Sequence, residues 1–209
     1  MNPSIFFFLC SSFADVAPLF EQACPIELQG KVVTFIPTAS TPESYKEYVK
    51  LGQKSLEGLG LKVLPLDVAT ASSEEIRSTL SEGDLIYVSG GNTFYLLQEL
   101  KRKGADKLIQ REIETGKPYI GESAGAMILA PSIEYVQLMD ETHVASELAS
   151  FAALGLISRY PLPHYRSFPF ENVGEEILAT YGEELPLVPI TNAQAIIVRG
   201  GELTIVTKE

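Results

Sequence analysis

Lys117-Pro118-Tyr119-Ile120-Gly121-Glu122-Ser123-Ala124-Gly125-Ala126-Met127-Ile128-Leu129 divides into three parts. Tyr119-Ile120 belongs to a short strand-like run. Gly121 to Gly125 is a Gly-x-Ser-x-Gly turn. Ala126 to Leu129 can start a helix. A serine at a sharp strand-to-helix turn is held exposed, and flanking glycines let the backbone turn tightly. The helix that follows points its amide end at the serine, which favours developing negative charge. Ser123 is therefore read as a nucleophile and the Ala124 N–H as one oxyanion donor.

One turn upstream, Ser89-Gly90-Gly91-Asn92-Thr93-Phe94 also closes a strand-like run and opens a helical one. Two glycines permit close approach of a ligand, and their amides can form an anion-binding nest. In a parallel sheet this loop shares the carboxyl edge with Ser123. Gly91 is the expected second oxyanion donor, with Gly90 and Asn92 as substrate contacts. The plainer reading makes Asn92 or Thr93 a helix cap. A serine also needs a base. The chain has two histidines. His143 sits in the polar stretch Asp140-Glu141-Thr142-His143, whereas His164 follows Pro161-Leu162-Pro163. Prolines restrict that loop and suit a fixed imidazole, so His164 is preferred.

The remaining pattern alternates. Ser4–Cys10, Val32–Pro37, Lys62–Leu66, Leu85–Ser89 and Pro118–Gly121 read as strands, several apolar enough to be covered on both faces. Helical periodicity is expected at Val16–Gln22, Pro42–Leu59, Ser73–Leu80, Thr93–Thr115 with a break near Gly104, and Glu171–Tyr181. Pro42 suits a first helical turn, Ser72 or Ser73 a cap, Gly60 and Gly116 helix exits. Ile133–Met139 is expected as a strand and Pro161–Pro169 as a loop. Ala195–Val198 and Leu203–Thr207 around Gly200-Gly201 read as a terminal hairpin. The expectation is one α/β domain over 1–209, a mainly parallel sheet flanked by helices.

Composition bounds the function. Hydrophobic residues make up 45% of the 209 and charged residues 21%, as in ordinary globular chains. The formal net charge of -11 repels phosphate backbones and anionic lipid, so neither nucleic acid nor membrane is an expected partner. Cys10 and Cys24 form no CxxC pair and read as reduced, mostly buried thiols. The apolar Ile5–Cys10 run lacks the basic start of a secretory signal and reads as a buried strand of a cytoplasmic protein. No HExxH, Cys/His cluster or Walker loop occurs, so neither metal nor organic cofactor is implied.

In this order, the GGNTF loop, the GESAGA elbow and the Leu162-Pro163-His164-Tyr165 segment resemble the peptidase E and cyanophycinase group of serine peptidases. Val33–Ser40 and Phe94–Leu100 extend the likeness over nearly the whole chain. The resemblance implies a fold similar to class I glutamine amidotransferases, flavodoxin-like, with serine replacing the elbow cysteine. It also implies hydrolysis of short peptides, often dipeptides with N-terminal Asp, a small peptide partner and room for a homodimer. By the same likeness Ser123 is the nucleophile, His164 the base, Gly91 and Ala124 the oxyanion positions, and Asp140 an acidic position associated with activity.

The chain departs from that family at the third triad position. Where relatives carry an acid, Pro189-Ile190-Thr191-Asn192-Ala193-Gln194-Ala195 places Asn192. Its carbonyl oxygen can accept the His164 N–H but brings no charge to an imidazolium. Asp140, Glu122 and Glu183 are carboxylates available to compensate. Selection of an N-terminal Asp calls for a cation, and Arg166 and Arg159 are available. The elbow also suits an esterase or amidase. The missing acid suits an inactive sensor or binding module.

Overall fold

The computed structural model describes residues 5–208. Its main sheet has seven strands in the order β3-β2-β4-β5-β1-β8-β9. These are β1 Phe6–Cys10, β2 Val32–Ile36, β3 Lys62–Pro65, β4 Leu85–Val88, β5 Tyr119–Glu122, β8 Gln194–Arg199 and β9 Glu202–Thr207. The first five of that order run parallel, and β8 and β9 are antiparallel. The helices are α1 Phe13–Ala23, α2 Glu47–Gly58, α3 Ser73–Glu82, α4 Thr93–Lys103, α5 Ala105–Glu114, the one-turn α6 Ala124–Met127 and α7 Glu171–Tyr181. A separate two-stranded ribbon pairs β6 Tyr160–Leu162 with β7 Leu187–Pro189 in parallel. This is the mostly parallel, helix-flanked architecture of the amidotransferase-like α/β fold.

β1 is buried at every position because both of its faces are covered. Phe7 and Leu9 enter one core cluster; Phe6, Phe8 and Cys10 enter the other, on the opposite side of the sheet. Phe8, Phe13 and Phe20 meet edge to face, tying α1 to β1. Ser4, the expected first residue of this strand, lies outside the described residues. The chain reverses through Gly200 (φ 55°) and Gly201 (φ 98°) between β8 and β9, as a hairpin requires. Cys10 is buried, Cys24 is half-buried, and both are free. Among the described residues no helix is long and apolar enough to cross a membrane.

The expected long helix breaks at Gly104 (φ 68°), whose left-handed backbone ends α4 and opens α5. Ser72 caps α3 in a reciprocal box with Glu75. Three expectations are corrected. α2 starts at Glu47, not Pro42, because its buried face is set by Gly52 and Leu56, and residues 41–46 bury no side chain against the core. Tyr45 there is 65% exposed. Ile133–Met139 is not a strand: Glu134–Leu138 is a 3-10 turn with Tyr135 and Val136 pressed into the core. Among the described residues the only strand-type pairing nearby is an isolated bridge between Ser132 and Ala152, so a strand would leave its backbone groups unmatched. The proline-rich loop begins as β6. Pro161 is tolerated there because a two-stranded ribbon leaves an edge with no N–H demanded.

Candidate active site

β5 lies between β4 and β1, so its carboxyl end sits mid-edge. Ser123 follows it with φ 48° and ψ −106°, a backbone that side-chain-bearing residues rarely adopt. Surrounding packing imposes it. The Ser123 N–H donates to Cys10 O at 2.8 Å, and Ser123 O accepts from Ala126 N and Met127 N at 2.9 and 3.0 Å. Tyr119 Oη donates to Gly125 O at 2.7 Å. A Cβ on Gly125 would lie 2.2 Å from Val88 O, and one on Gly121 would lie 2.5 Å from Gly125 O. Both glycines of the elbow are steric requirements as well as turn formers.

His164 Nε2 lies 3.1 Å from Ser123 Oγ, and His164 Nδ1 lies 2.8 Å from Asn192 Oδ1. The amide oxygen can only accept a hydrogen bond, so the ring carries its proton on Nδ1, which leaves Nε2 free to take one from the serine. His164 itself has φ 58°. Its loop is held by Ser11, just past β1. Ser11 Oγ accepts from His164 N at 2.9 Å and stands 3.2 Å from both Ile190 O and Thr191 O. Ser11 thus joins the sheet edge to the histidine loop and the Asn192 segment. Phe170 packs on the imidazole with centroids 5.0 Å apart. Burial is the main cause that lowers the His164 pKa below its ordinary value; the Asn192 hydrogen bond and the charge of Asp15 pull it back up. The base is neutral at neutral pH.

The Gly90-Gly91 loop is beside the elbow. A Cβ on Gly90 would lie 3.2 Å from Ser123 Cβ. Gly91 has φ 130°, and a Cβ there would strike the Ala39 backbone at 2.3 Å. Among the described residues, neither the Gly91 nor the Ala124 N–H has an acceptor, and the Ala124 amide is the first of a helix. The edge therefore offers two amides without a protein acceptor, Ala124 next to the serine and Gly91 on the loop beside the elbow.

Several expected residues lie elsewhere. Asp140 touches neither Ser123 nor His164; its Oδ2 accepts from Thr93 N at 2.7 Å, at the start of α4. Glu122 is fully buried, and its carboxylate accepts from Phe13 N at 2.8 Å and Tyr87 Oη at 2.7 Å, with a long contact from Gly90 N. Burial pushes its pKa up, against those donors. Glu183 is exposed. None of these three takes the third position beside His164. Asn92 caps α4 through Oδ1 and donates from Nδ2 to Glu141 O, so its side chain is spent on structure. Arg166 is exposed, 2.6 Å from Glu175 and over the Tyr165 ring, so its charge is engaged on the surface. Arg159 lines a cavity of about 390 Å³ with Val188, Val198 and Leu203, not with Ser123. Exposed His143 faces Glu141 at 3.4 Å. The sequence reading missed Ser11; its signal was a hydroxyl directly after a central buried strand, at the catalytic edge. Among the described residues no group of three or more His, Cys, Asp or Glu side chains gathers as a metal site.

A serine on an elbow, hydrogen-bonded to a histidine at the carboxyl edge of a parallel sheet, is the arrangement found in serine hydrolases. The family model for peptidase family S51 matches residues 8–206, and the chain belongs to that family. It is 55% identical over 196 residues to an uncharacterized peptidase of Listeria innocua, covering 94% of this chain and 93% of that one. It is 34% identical to peptidase E of Pasteurella multocida, covering 81% and 70%. A crystal structure of a peptidase E candidate from Listeria monocytogenes EGD-e superposes with a TM-score of 0.94 at 51% identity, over 98% of this chain and 99% of that one.

Proposed function

We propose that this chain hydrolyses short peptides, dipeptides foremost, with Ser123 as nucleophile and His164 as general base. The observation that carries the reading is the unbroken relay from Ser123 Oγ through the imidazole to Asn192 Oδ1. Ser123 Oγ adds to the peptide carbonyl carbon while His164 Nε2 takes its proton. The carbonyl oxygen, now negative, accepts hydrogen bonds from the Gly91 and Ala124 amides. The C–N bond breaks as His164 returns the proton to the leaving amine. Water, deprotonated by the same imidazole, then releases the acyl group from serine. Asn192 fixes the ring and its tautomer, while the field of Asp15 supplies what charge reaches the imidazolium.

Asp selectivity finds weaker support than peptide hydrolysis. Arg166, the expected cation, is engaged with Glu175, and the charges that perturb groups around the loop are those of Asp15, Glu43, Glu122 and Asp140. A negative surround disfavours an acidic substrate side chain. The proposal is therefore a dipeptidase without Asp preference. The test is a fluorophosphonate probe and a dipeptide panel applied to wild type and Ser123→Ala. Wild type should be labelled at Ser123 and cleave Ala-Xaa at least as well as Asp-Xaa. Ser123→Ala should lose both labelling and turnover, with Tm nearly unchanged because an elbow hydroxyl carries little packing. Unlabelled wild-type protein, or a variant with full turnover, refutes the assignment. A strong preference for Asp-Xaa refutes only the selectivity.

A further inference from the structure

Glu122 is the last residue of β5 and directly precedes Ser123. Side chains alternate along a strand, so Glu122 enters the same side of the sheet as Ile120, among Cys10, Phe13 and Tyr87. It is 3% exposed there. Among the described residues three groups donate to it. Phe13 N reaches Oε1 at 2.8 Å; Tyr87 Oη and Gly90 N reach Oε2 at 2.7 and 3.5 Å. None of the three is a cation, and a carboxylate is costly to bury without one.

Each donor belongs to a different part of the site. Phe13 opens α1, whose N-cap residue Ser12 makes no side-chain cap, so Glu122 caps that helix from 109 positions away. Ser11, two residues before Phe13, holds the His164 amide. Tyr87 lies in β4, and Gly90 begins the loop beside the elbow. α2 closes the arrangement from outside. On that helix Tyr48 and Gly52, four residues apart, share a face. The Gly90 Cβ position is 3.5 Å from Tyr48 Cε2. A Cβ on Gly52 would lie 2.6 Å from Tyr87 Oη and 3.8 Å from Glu122 Oε2, so Gly52 leaves the room in which the Tyr87–Glu122 pair fits.

The donors fix the residue type. A backbone amide can only donate, and one amide sits on each oxygen of Glu122, so both terminal atoms have to accept. Among side chains of this length only a carboxylate does so. Glutamine keeps the size but sets an NH2 against one amide. Its oxygen should stay on Phe13 N, the shorter contact, while its NH2 donates to Tyr87 Oη, which can accept. That NH2 then faces the Gly90 N–H, donor against donor, and the loop is released.

We infer that Glu122 is a positioning residue: its carboxylate ties the Gly90-Gly91 loop and the start of α1 to the strand that carries Ser123, and so sets the loop amide against the nucleophile. This role rests on the serine peptidase reading and adds to it what holds the oxyanion loop in place. Glu122 acts through Gly90 and does not touch substrate.

The test compares wild type and Glu122→Gln on alanine ethyl ester and its thiono analogue, in which sulfur replaces the carbonyl oxygen. Sulfur is larger and a poorer acceptor, so a closely set oxyanion loop discriminates against it. Fluorophosphonate titration counts competent serines, and kcat is expressed per labelled site. Wild type should prefer the oxo ester. Glu122→Gln should lose about tenfold in kcat per labelled serine with KM nearly unchanged, part of the roughly 10²–10³ that follows loss of a whole oxyanion donor. Its oxo-over-thiono ratio of kcat/KM should shrink by a similar factor. A merely structural role would lower Tm and the number of labelled sites and leave that ratio alone. Gly52→Ala is the second variant: it gains helix propensity, yet its methyl group displaces Tyr87 Oη from the oxygen shared with Gly90. Its ratio should shrink in the same direction. Equal wild-type rates on the two esters would overturn the inference. So would an unaltered ratio in Glu122→Gln or, should that variant not fold, in Gly52→Ala. Labelled wild type beside an unaltered variant refutes the positioning role alone, and unlabelled wild type refutes the serine reading with it.

Discussion

At the residue scale, the third triad position shapes the acid–base behaviour of the site. An aspartate beside a histidine stabilises imidazolium with a full charge; Asn192 orients the ring and offers only the hydrogen bond of a neutral amide. The lowered His164 pKa comes from burial, which the Asn192 hydrogen bond and the charge of Asp15 offset only in part. A base loses activity as pH falls through its folded pKa. With that pKa below the ordinary histidine value, the acid limb of kcat/KM should fall below pH ~6.5. Asn192→Asp puts a charge at the same distance with nearly the same side-chain size. It should move the acid limb to higher pH and raise kcat/KM above it, with the roughly 10⁴-fold cost of losing a triad aspartate as the upper scale. A pH–rate profile of both proteins decides. An unmoved limb with unchanged kcat/KM would mean Asn192 holds the ring in a way that charge does not improve.

At the scale of elements, the site depends on close contacts between strand ends. The elbow and the Gly90-Gly91 loop come from β5 and β4, adjacent in the sheet, and both are packed to the limit of backbone contact. Gly91→Ala adds a Cβ to a backbone at φ 130° and drives it into Ala39. The loop must retreat, and the Gly91 amide moves with it. Stability should fall by about 1–3 kcal/mol, the usual scale for strain and overpacking. kcat/KM should fall by about 10²–10³, as when an oxyanion donor is removed. Denaturant melts together with kinetics would separate the two effects. Loss of stability with full activity would remove Gly91 from the oxyanion role.

At the scale of the whole molecule, the negative charge of the chain has a local counterpart in Asp140, which the fold takes partly out of water. Its folded pKa, about 6, is above the ordinary aspartate value. Such a group contributes stability that is fully present below the unfolded pKa and is lost as pH rises through the folded one. Asp140→Asn resembles the protonated form and lacks this dependence. Wild type should therefore lose stability relative to the variant between about pH 4 and pH 6, by an amount of order 1 kcal/mol per unit of pKa shift. Tm values for both proteins across that range provide the check. A constant difference would place Asp140 in water with an ordinary pKa.

Much of the architecture was legible in local pattern. β1 and β4 are continuous apolar runs because both faces are covered, and such runs are visible residue by residue. The elbow was visible because Gly121 and Gly125 have no alternative at their contact distances. The break at Gly104 and the capping box at Ser72 were visible because a single residue type satisfies a helix end. Ile133–Met139 was misread because a short apolar run does not say whether a neighbouring strand exists to pair with it. The same gap hid the β6–β7 ribbon, whose two halves lie apart in the chain. Local preference and apolar period thus determined the sheet, the nucleophile turn and the histidine loop. Only the tertiary structure decided which partners meet: Asn192 rather than a carboxylate at His164, Ser11 beneath the histidine loop, Glu175 on Arg166, and Tyr48 over Gly90. Such pairings depend on distances between residues far apart in the chain, which sequence order does not specify.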